Sequence, residues 1–208
     1  MSVVVAAFDV DNTLTVRDCV APFLFQVSGR ARTAWSLAGQ PVATAKALRS
    51  RDRDALKRSL VRGTMAGLEV SQVEERGARF ALMVSEKWIR RDVAGRFRWH
   101  QEQGHVVVLV SASLSAYLLP LGDLLEADGV LCTELDERDG VLTGEIRGEN
   151  CRGGEKIRRL HSWMTLAGMD HGSLTYAYGD SRGDDALLAA ATHGHRVDKI
   201  ELSREWRP

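Results

Sequence analysis

Apolar positions run along this chain in two rhythms. Val3 to Ala7 is an unbroken apolar run that ends at Phe8-Asp9-Val10-Asp11-Asn12, the pattern of a buried strand closed by turn formers. Helical spacing follows. Val20, Phe23, Leu24 and Val27 share one face, and Gly29 would stop that helix. Ala31 to Ala47 is Ala-rich with a break at Pro41. Asp52 would cap a short basic helix through Val61, and Met65 to Leu68 reads as a connector. Ser71 with Glu74 fits a capping box opening a long helix that buries Val73, Phe80, Ala81, Val84, Trp88 and Ile89. No strand is read between 16 and 90.

Strand and helix then alternate. A helix over Asp92–Gln103, stopped by Gly104, precedes a strand at His105–Val110 and a helix at Ser113–Leu125. Gly129–Cys132 reads as a strand, and Leu135–Ile146 as a hairpin turning at Asp139-Gly140. A helix at Gly153–Met169, a strand at Leu174–Tyr178, a helix at Ala186–Ala191 and a last strand at Arg196–Ile200 complete the pattern. The fold class is α/β, with a mainly parallel sheet and an all-helical insert after the first strand.

Length and composition narrow this further. The 208 residues suit one domain with a sizeable insert, and 44% hydrophobic with 27% charged residues is ordinary for a globule. The formal net charge is zero, so no global field favours nucleic acid or membrane. The charge is unevenly spread: residues 16–100 hold 17 Lys and Arg against 8 Asp and Glu, which marks the insert as a separate unit. Within it, Lys46 to Arg62 has seven basic residues and two Asp. Four readings stay open for that segment: a solvated face, docking on the acidic remainder, attraction of an anionic substrate, or contact with anionic lipid. Cys19, Cys132 and Cys151 form no paired spacing, which argues for a reducing compartment. No basic n-region precedes the first apolar run, and no apolar run approaches the length of a membrane span. A cytoplasmic protein without a transmembrane segment is expected. The six histidines show no ligand spacing, and His193-Gly-His195 reads as surface.

Chemistry-bearing residues fall at the carboxyl ends of three strands, where open α/β sheets bind ligands. Asp9 and Asp11 follow the first strand, and residues two apart in an extended segment face the same way. Two such carboxylates repel unless a cation lies between them, and Mg²⁺ is a hard ion that takes oxygen ligands. The plainer alternative is an Asx turn ending the strand. Ser111-Ala112-Ser113 follows the second strand, and Gly179-Asp180 with Asp184 follows the Leu174–Tyr178 strand. Lys156 begins the helix before it. These carboxylates, a hydroxyl and an ammonium suit phosphoryl transfer, which rests on positioning and charge neutralisation. A carboxylate can attack phosphorus, and a second carboxyl group can protonate the leaving oxygen.

These residues resemble the four motifs of haloacid dehalogenase-superfamily phosphatases, of the branch that contains phosphoserine phosphatase. Asp9-Val10-Asp11-Asn12-Thr13 matches DxDxT, VLVSAS carries Ser111, Lys156 stands alone, and Gly179-Asp180-Ser181-Arg182-Gly183-Asp184 matches GDxxxD, all in the family's order. Asn12 stands where Gly is commoner. The resemblance implies a Rossmann-like core over 1–15 and 91–208 and a helical C1 cap over 16–90. It implies Asp9 as nucleophile and Mg²⁺ ligand, and Asp11 as general acid/base with its backbone carbonyl on the metal. Asp180 would be the third protein ligand, and Asp184 would support the metal from farther out. Ser111, the Ala112 N–H and Lys156 would hold the phosphoryl group. Phosphoserine phosphatases carry a Glu where this chain has Asp18, which would bind substrate or cap the first helix, and a cap Arg that Arg62 approaches out of register. The expected activity is Mg²⁺-dependent hydrolysis of a small phosphorylated metabolite, phosphoserine or another amino acid or amino alcohol phosphate, through an aspartyl-phosphate. The alternatives are a peripheral lipid head-group phosphatase of the phosphatidylglycerophosphatase kind, guided by the basic cap, and a non-catalytic regulatory module. A monomer or homodimer without nucleic-acid partners is expected.

Overall fold

The computed structural model describes residues 3–29 and 53–197. The Ala-rich stretch at 31–47, its Pro41 break, residues 46–52 of the basic segment and the tail with Trp206 lie outside these residues.

A five-stranded parallel sheet organises the molecule, in the order β3-β2-β1-β6-β7. β1 (Val5–Phe8) is its centre, between β2 (Val106–Leu114) and β6 (Leu174–Gly179), and all four residues of β1 are fully buried. A continuous apolar run is what a strand covered on both faces requires. Ala6 and Phe8 join one core cluster with α4 (Arg91–Glu102) and the helical segment, whereas Val5 and Ala7 join another under α6 (Gly154–Leu166) and α7 (Asp185–Ala190). β3 (Gly129–Thr133) and β7 (His193–Arg196) are the edges.

The helical segment between β1 and α4 includes α1 (Val20–Ser28), α2 (Arg53–Met65) and α3 (Val70–Lys87). Gly29 ends α1 at φ +78°, where a left-handed residue is needed. α3 lies on α5 (Ser115–Leu124), and Phe80, Phe23 and Tyr117 interlock there, with ring centroids 4.8–5.3 Å apart. A Cβ at Gly77 would collide with the carbonyl oxygen of Ala116, so the glycine lets α3 approach α5. The hairpin of β4 (Leu135–Arg138) and β5 (Val141–Ile146) also leans on the helices. Gly67 donates to Leu142 O at 2.9 Å and Leu142 to Leu68 O at 2.8 Å. Its turn residues, Asp139 and Gly140, both have positive φ, as a tight two-residue turn demands.

Two local expectations differ from the structure. The Ser71–Glu74 capping box does not form, because α3 starts one residue before Ser71 with Glu69 at its N-cap. β2 runs on to Leu114 through a register irregularity, since β3 pairs Thr133 with Leu114 and holds the chain extended past Val110. The expected strand at Arg196–Ile200 lies mostly outside the described residues, and the last described strand is His193–Arg196. His195 is half-buried on it, its ring stacked 5.1 Å from that of Tyr178, while His193 is exposed as expected.

Gly77→Ala tests the close approach of α3. Helix propensity alone would favour Ala by about 1 kcal/mol. The collision should outweigh that and cost about 1–3 kcal/mol net, the usual scale of overpacking. Urea denaturation would read it, and an unchanged or raised midpoint would refute the packing argument.

Candidate active site

The centre of the site is an ion cluster sealed beneath the carboxyl ends of β1 and β6. Asp9 directly follows β1, and its N–H extends the ladder to Tyr178 O at 2.9 Å. Lys156, in the first turn of α6, donates to Asp9 Oδ1 at 2.5 Å and to Asp184 Oδ1 at 2.6 Å. Asp9, Lys156 and Asp184 are 5, 2 and 1% exposed, so these pairs are little screened. Thr13 donates to Asp9 Oδ2 at 3.0 Å. Asp184 Oδ2 accepts from both the N–H and the hydroxyl of Ser181 at 3.0 Å. Gly179 is required here, because a Cβ would strike the side chain of Asp184. One carboxylate oxygen each from Asp9, Asp180 and Asp184 lie within 4.8 Å of one another.

Asp11 is held apart from this cluster. Residues 10–14 form a single wide turn closed by Thr15 N–H on Val10 O at 2.9 Å, with Asn12 left-handed at φ 62°. The turn swings Asp11 toward the helical segment and β2. Its Oδ1 accepts from Cys19 N–H at 2.8 Å, and its Oδ2 from the Ser113 hydroxyl at 2.8 Å. Burial, then Asp18 and Asp9, push the Asp11 carboxyl up to about 7. Ser111 is buried on β2, and its Oγ accepts from Ser113 N–H at 3.2 Å. Ala112 offers its carbonyl to Thr133 Oγ1 at 3.0 Å. Asp18 accepts from Ala21 N–H at 3.2 Å and so caps α1. Arg62 is paired with Glu145 of β5, Nε to Oε1 at 2.8 Å.

A sequence model of the family described as haloacid dehalogenase-like hydrolase matches residues 6–189. The chain belongs to that family. Protein CicA of Caulobacter vibrioides is 36% identical over 196 residues, covering 92% of this chain and 85% of that protein. A phosphoserine phosphatase of Wolinella succinogenes is 28% identical over 138 residues, 66% of this chain and 62% of that one. Among solved structures, a Bordetella pertussis protein described as of unknown function superposes with TM-score 0.68 at 22% identity, covering 92% of this chain and 88% of that one. A substrate-bound phosphoserine phosphatase superposes with TM-score 0.63 at 20% identity, covering 95% and 86%. The likeness to a phosphatase of this superfamily, read first from four short motifs, therefore extends over the whole fold.

The family's α/β core explains why four motifs spread over 176 residues meet: each sits at a strand end or the start of a helix on one edge of the sheet. The donors gathered by Asp9, Asp180 and Asp184 are all carboxylate oxygens, and one ammonium does not offset three carboxylates. Burial, then Asp9 and Asp184, raise Asp180 to about 6. Burial also raises Asp9, with Asp184 adding to it and Lys156 opposing it. A hard divalent cation such as Mg²⁺ fits that donor set and that negative excess.

The sequence reading missed a second group of residues. From α2, Lys57 reaches the Ala112 carbonyl and donates to Asn150 Oδ1 at 2.7 Å. Asn150 Nδ2 donates to Asp54 Oδ1 at 2.6 Å. No motif marks these residues, and their only sequence signal is the three-residue spacing of Asp54 and Lys57 on one helix face. A cavity of about 1000 Å³ lies elsewhere, bordered by Val73, Leu119, Leu131, Trp163 and Leu166, and contains none of the four motif residues.

Mg²⁺ at a hundredfold excess over its Kd should stabilise the protein by about 2.7 kcal/mol. Thermal unfolding with Mg²⁺ and with EDTA would read the shift, which Asp180→Asn should largely remove. An equal shift in the variant would place the cation elsewhere.

Proposed function

We propose that this hydrolase is a Mg²⁺-dependent phosphomonoesterase acting through an aspartyl-phosphate on Asp9. Its substrate in this reading is a small phosphorylated metabolite of the phosphoserine or amino alcohol phosphate kind. The observation that carries the proposal is the unequal treatment of two carboxyl groups two residues apart. Lys156 and Thr13 hold both oxygens of Asp9, whereas Asp11 is turned away from the ammonium and accepts from the Cys19 N–H and the Ser113 hydroxyl. A nucleophile and a general acid need that difference.

The first step forms a bond between an Asp9 carboxylate oxygen and phosphorus while the ester P–O bond breaks. Asp11, protonated, gives its proton to the leaving oxygen. In the second step a water oxygen attacks the phosphorus and passes its proton to Asp11. The P–O bond to Asp9 then breaks, releasing phosphate and restoring both groups. Lys156 keeps Asp9 aligned and offsets charge on the transferred group, and Ser111 with the Ala112 N–H orients its oxygens. Mg²⁺ held by Asp9, Asp180 and the Asp11 carbonyl, with Asp184 outside them, would neutralise phosphoryl charge. The core-and-cap division at residues 15/16 and 90/91 belongs to this proposal, with the cap excluding water from the phospho-enzyme.

The described part of the basic segment favours docking over lipid contact. Arg58 lies 4.0 Å from Glu149, and Arg62 pairs with Glu145, both on the core side. No helix among the described residues is long and apolar enough to cross a membrane. A cytoplasmic setting, no nucleic-acid partner and a monomer or homodimer belong to the same reading.

Phosphate release with Mg²⁺ across phosphorylated amino acids, amino alcohols, sugars, nucleotides and phosphatidylglycerophosphate tests it. One preferred small substrate is expected. Asp9→Asn should lose at least about a thousandfold in kcat, the scale of removing a nucleophile. Activity retained in that variant, or under EDTA, would refute the mechanism.

The pH profile gives a second test. A carboxyl raised to about 7 is protonated below that value, so the acid step should fade as pH rises through it. A bound cation shifts that limb to lower pH. With Asp11→Asn the limb should vanish along with most of the activity, and its survival would assign it to another group.

A further inference from the structure

Lys57 belongs to none of the four motifs, yet it is 8% exposed and touches the peptide that serves them. The Ala112 carbonyl accepts from its ammonium, and the N–H of that same peptide, on Ser113, donates to Ser111 Oγ at 3.2 Å. Ser111 thus has an acceptor position filled and its own proton left to donate. Ser113, two residues on and on the same side of the strand, donates its hydroxyl to Asp11 at 2.8 Å. Thr133 on β3 lies on the core side, its one hydroxyl proton shared between the Ala112 carbonyl at 3.0 Å and Asn150 Oδ1. Asn150 links the two sides. Its Oδ1 accepts from Lys57 at 2.7 Å and Thr133 at 2.7 Å, and its Nδ2 faces Asp54 at 2.6 Å. The charges on Lys57 and Asp54 fix which way round the amide sits.

We propose that Lys57 is a positioning residue: its ammonium, held by Asn150, seats the Ala112–Ser113 peptide and makes docking of α2 a condition for the correct setting of Ser111 and Asp11. The activity test rests on the phosphatase reading; the structural test does not. Burial pulls Lys57 down to about 8, against Asp11 from the catalytic turn, Cys151 and Cys132 from beneath, and Asp54 from its own helix. The ammonium form therefore prevails at neutral pH. It holds the peptide oxygen as a charge-assisted donor, which a neutral side chain of the same length does not.

Lys57→Met keeps the stem of the side chain and removes the ammonium. It should lower kcat by about tenfold or more, the range expected when oriented groups are let go, with KM changed less. The factor should be the same for phosphoserine and for p-nitrophenyl phosphate, which has no second anionic group. Asn150→Ala should act in the same direction, and the double variant should be no worse than Lys57→Met alone. Hydrogen exchange should show loss of protection both at 111–114 and along α2. A loss confined to phosphoserine would overturn the proposal and make Lys57 a direct contact of the substrate's anion. Unchanged exchange at 111–114 would overturn it as well. If the wild type turns over neither compound, the phosphatase reading fails while the exchange measurement still decides the role of Lys57. Should Lys57→Met fail to fold, Asn150→Ala carries both readouts.

Discussion

The pair of ion contacts from Lys156 to Asp9 and Asp184 is the constraint on which the site depends. Burying three charges costs several kcal/mol per ion, and one ammonium between two carboxylates recovers that only with good geometry and further hydrogen bonds. Thr13 supplies one of those bonds and Ser181 two more. Even so the cluster keeps a negative excess, and burial holds the Asp9 carboxyl above its ordinary range. Lys156 responds in the opposite sense: burial alone would lower it, and the two carboxylates more than reverse that, so it stays charged. Such an arrangement adds little to stability, so its reason for existing lies in what binds there.

The backbone enforces this charge arrangement. β1 and β6 are adjacent and parallel, so their carboxyl ends deliver Asp9 and Asp180 to one place. Gly179 leaves room for Asp184 to fold back under them. The wide turn at 10–14 then separates two carboxylates that strand geometry alone would leave side by side. Asp9 goes to an ammonium, and Asp11 to a hydroxyl and an amide. The chemical difference between the two follows from one left-handed residue, Asn12, more than from residue type.

Much of this was legible in the chain because strand ends carry their chemistry with them. The apolar run to Ala7, the HVVVLV run and the Leu174–Tyr178 run each end in polar residues, and parallel strands bring those ends to one edge of the sheet, while the order of the strands in it was not readable. What stayed hidden depends on distant partners. β2 extends past Val110 because β3 offers it pairs, which the helix-like Ser113–Leu125 pattern does not show. Ser71 is bypassed as a cap because α3 starts earlier. Lys57 and Asn150 meet across 93 residues, and neither sits in a local pattern that marks chemistry. His100, His105 and His195 have no ligand spacing, yet His100 and His195 pack on Tyr178, with His100 donating to or accepting from its hydroxyl at 3.0 Å and lying 2.8 Å from His105.

The helical segment carries the remaining question, that of substrate. Two residues that the phosphoserine phosphatase pattern would assign to recognition have structural partners: Asp18 caps α1, and Arg62 is paired with Glu145. The segment is also fastened to the core at separate points, through Gly77 on Ala116, through Leu68 and Gly67 on Leu142, and through Lys57 and Asp54 on Asn150. The helical segment borders the site through the start of α1 and through α2, which contact Asp11 and Ala112. In the proposed reading, selectivity depends on what fits between those helices and the ends of β1 and β2. Steric fit discriminates weakly, whereas a buried polar group left without its partner discriminates strongly. Lys57 and Asn150 are buried polar groups with their partners in place, so a substrate that takes those partners away is penalised at the Ala112–Ser113 peptide.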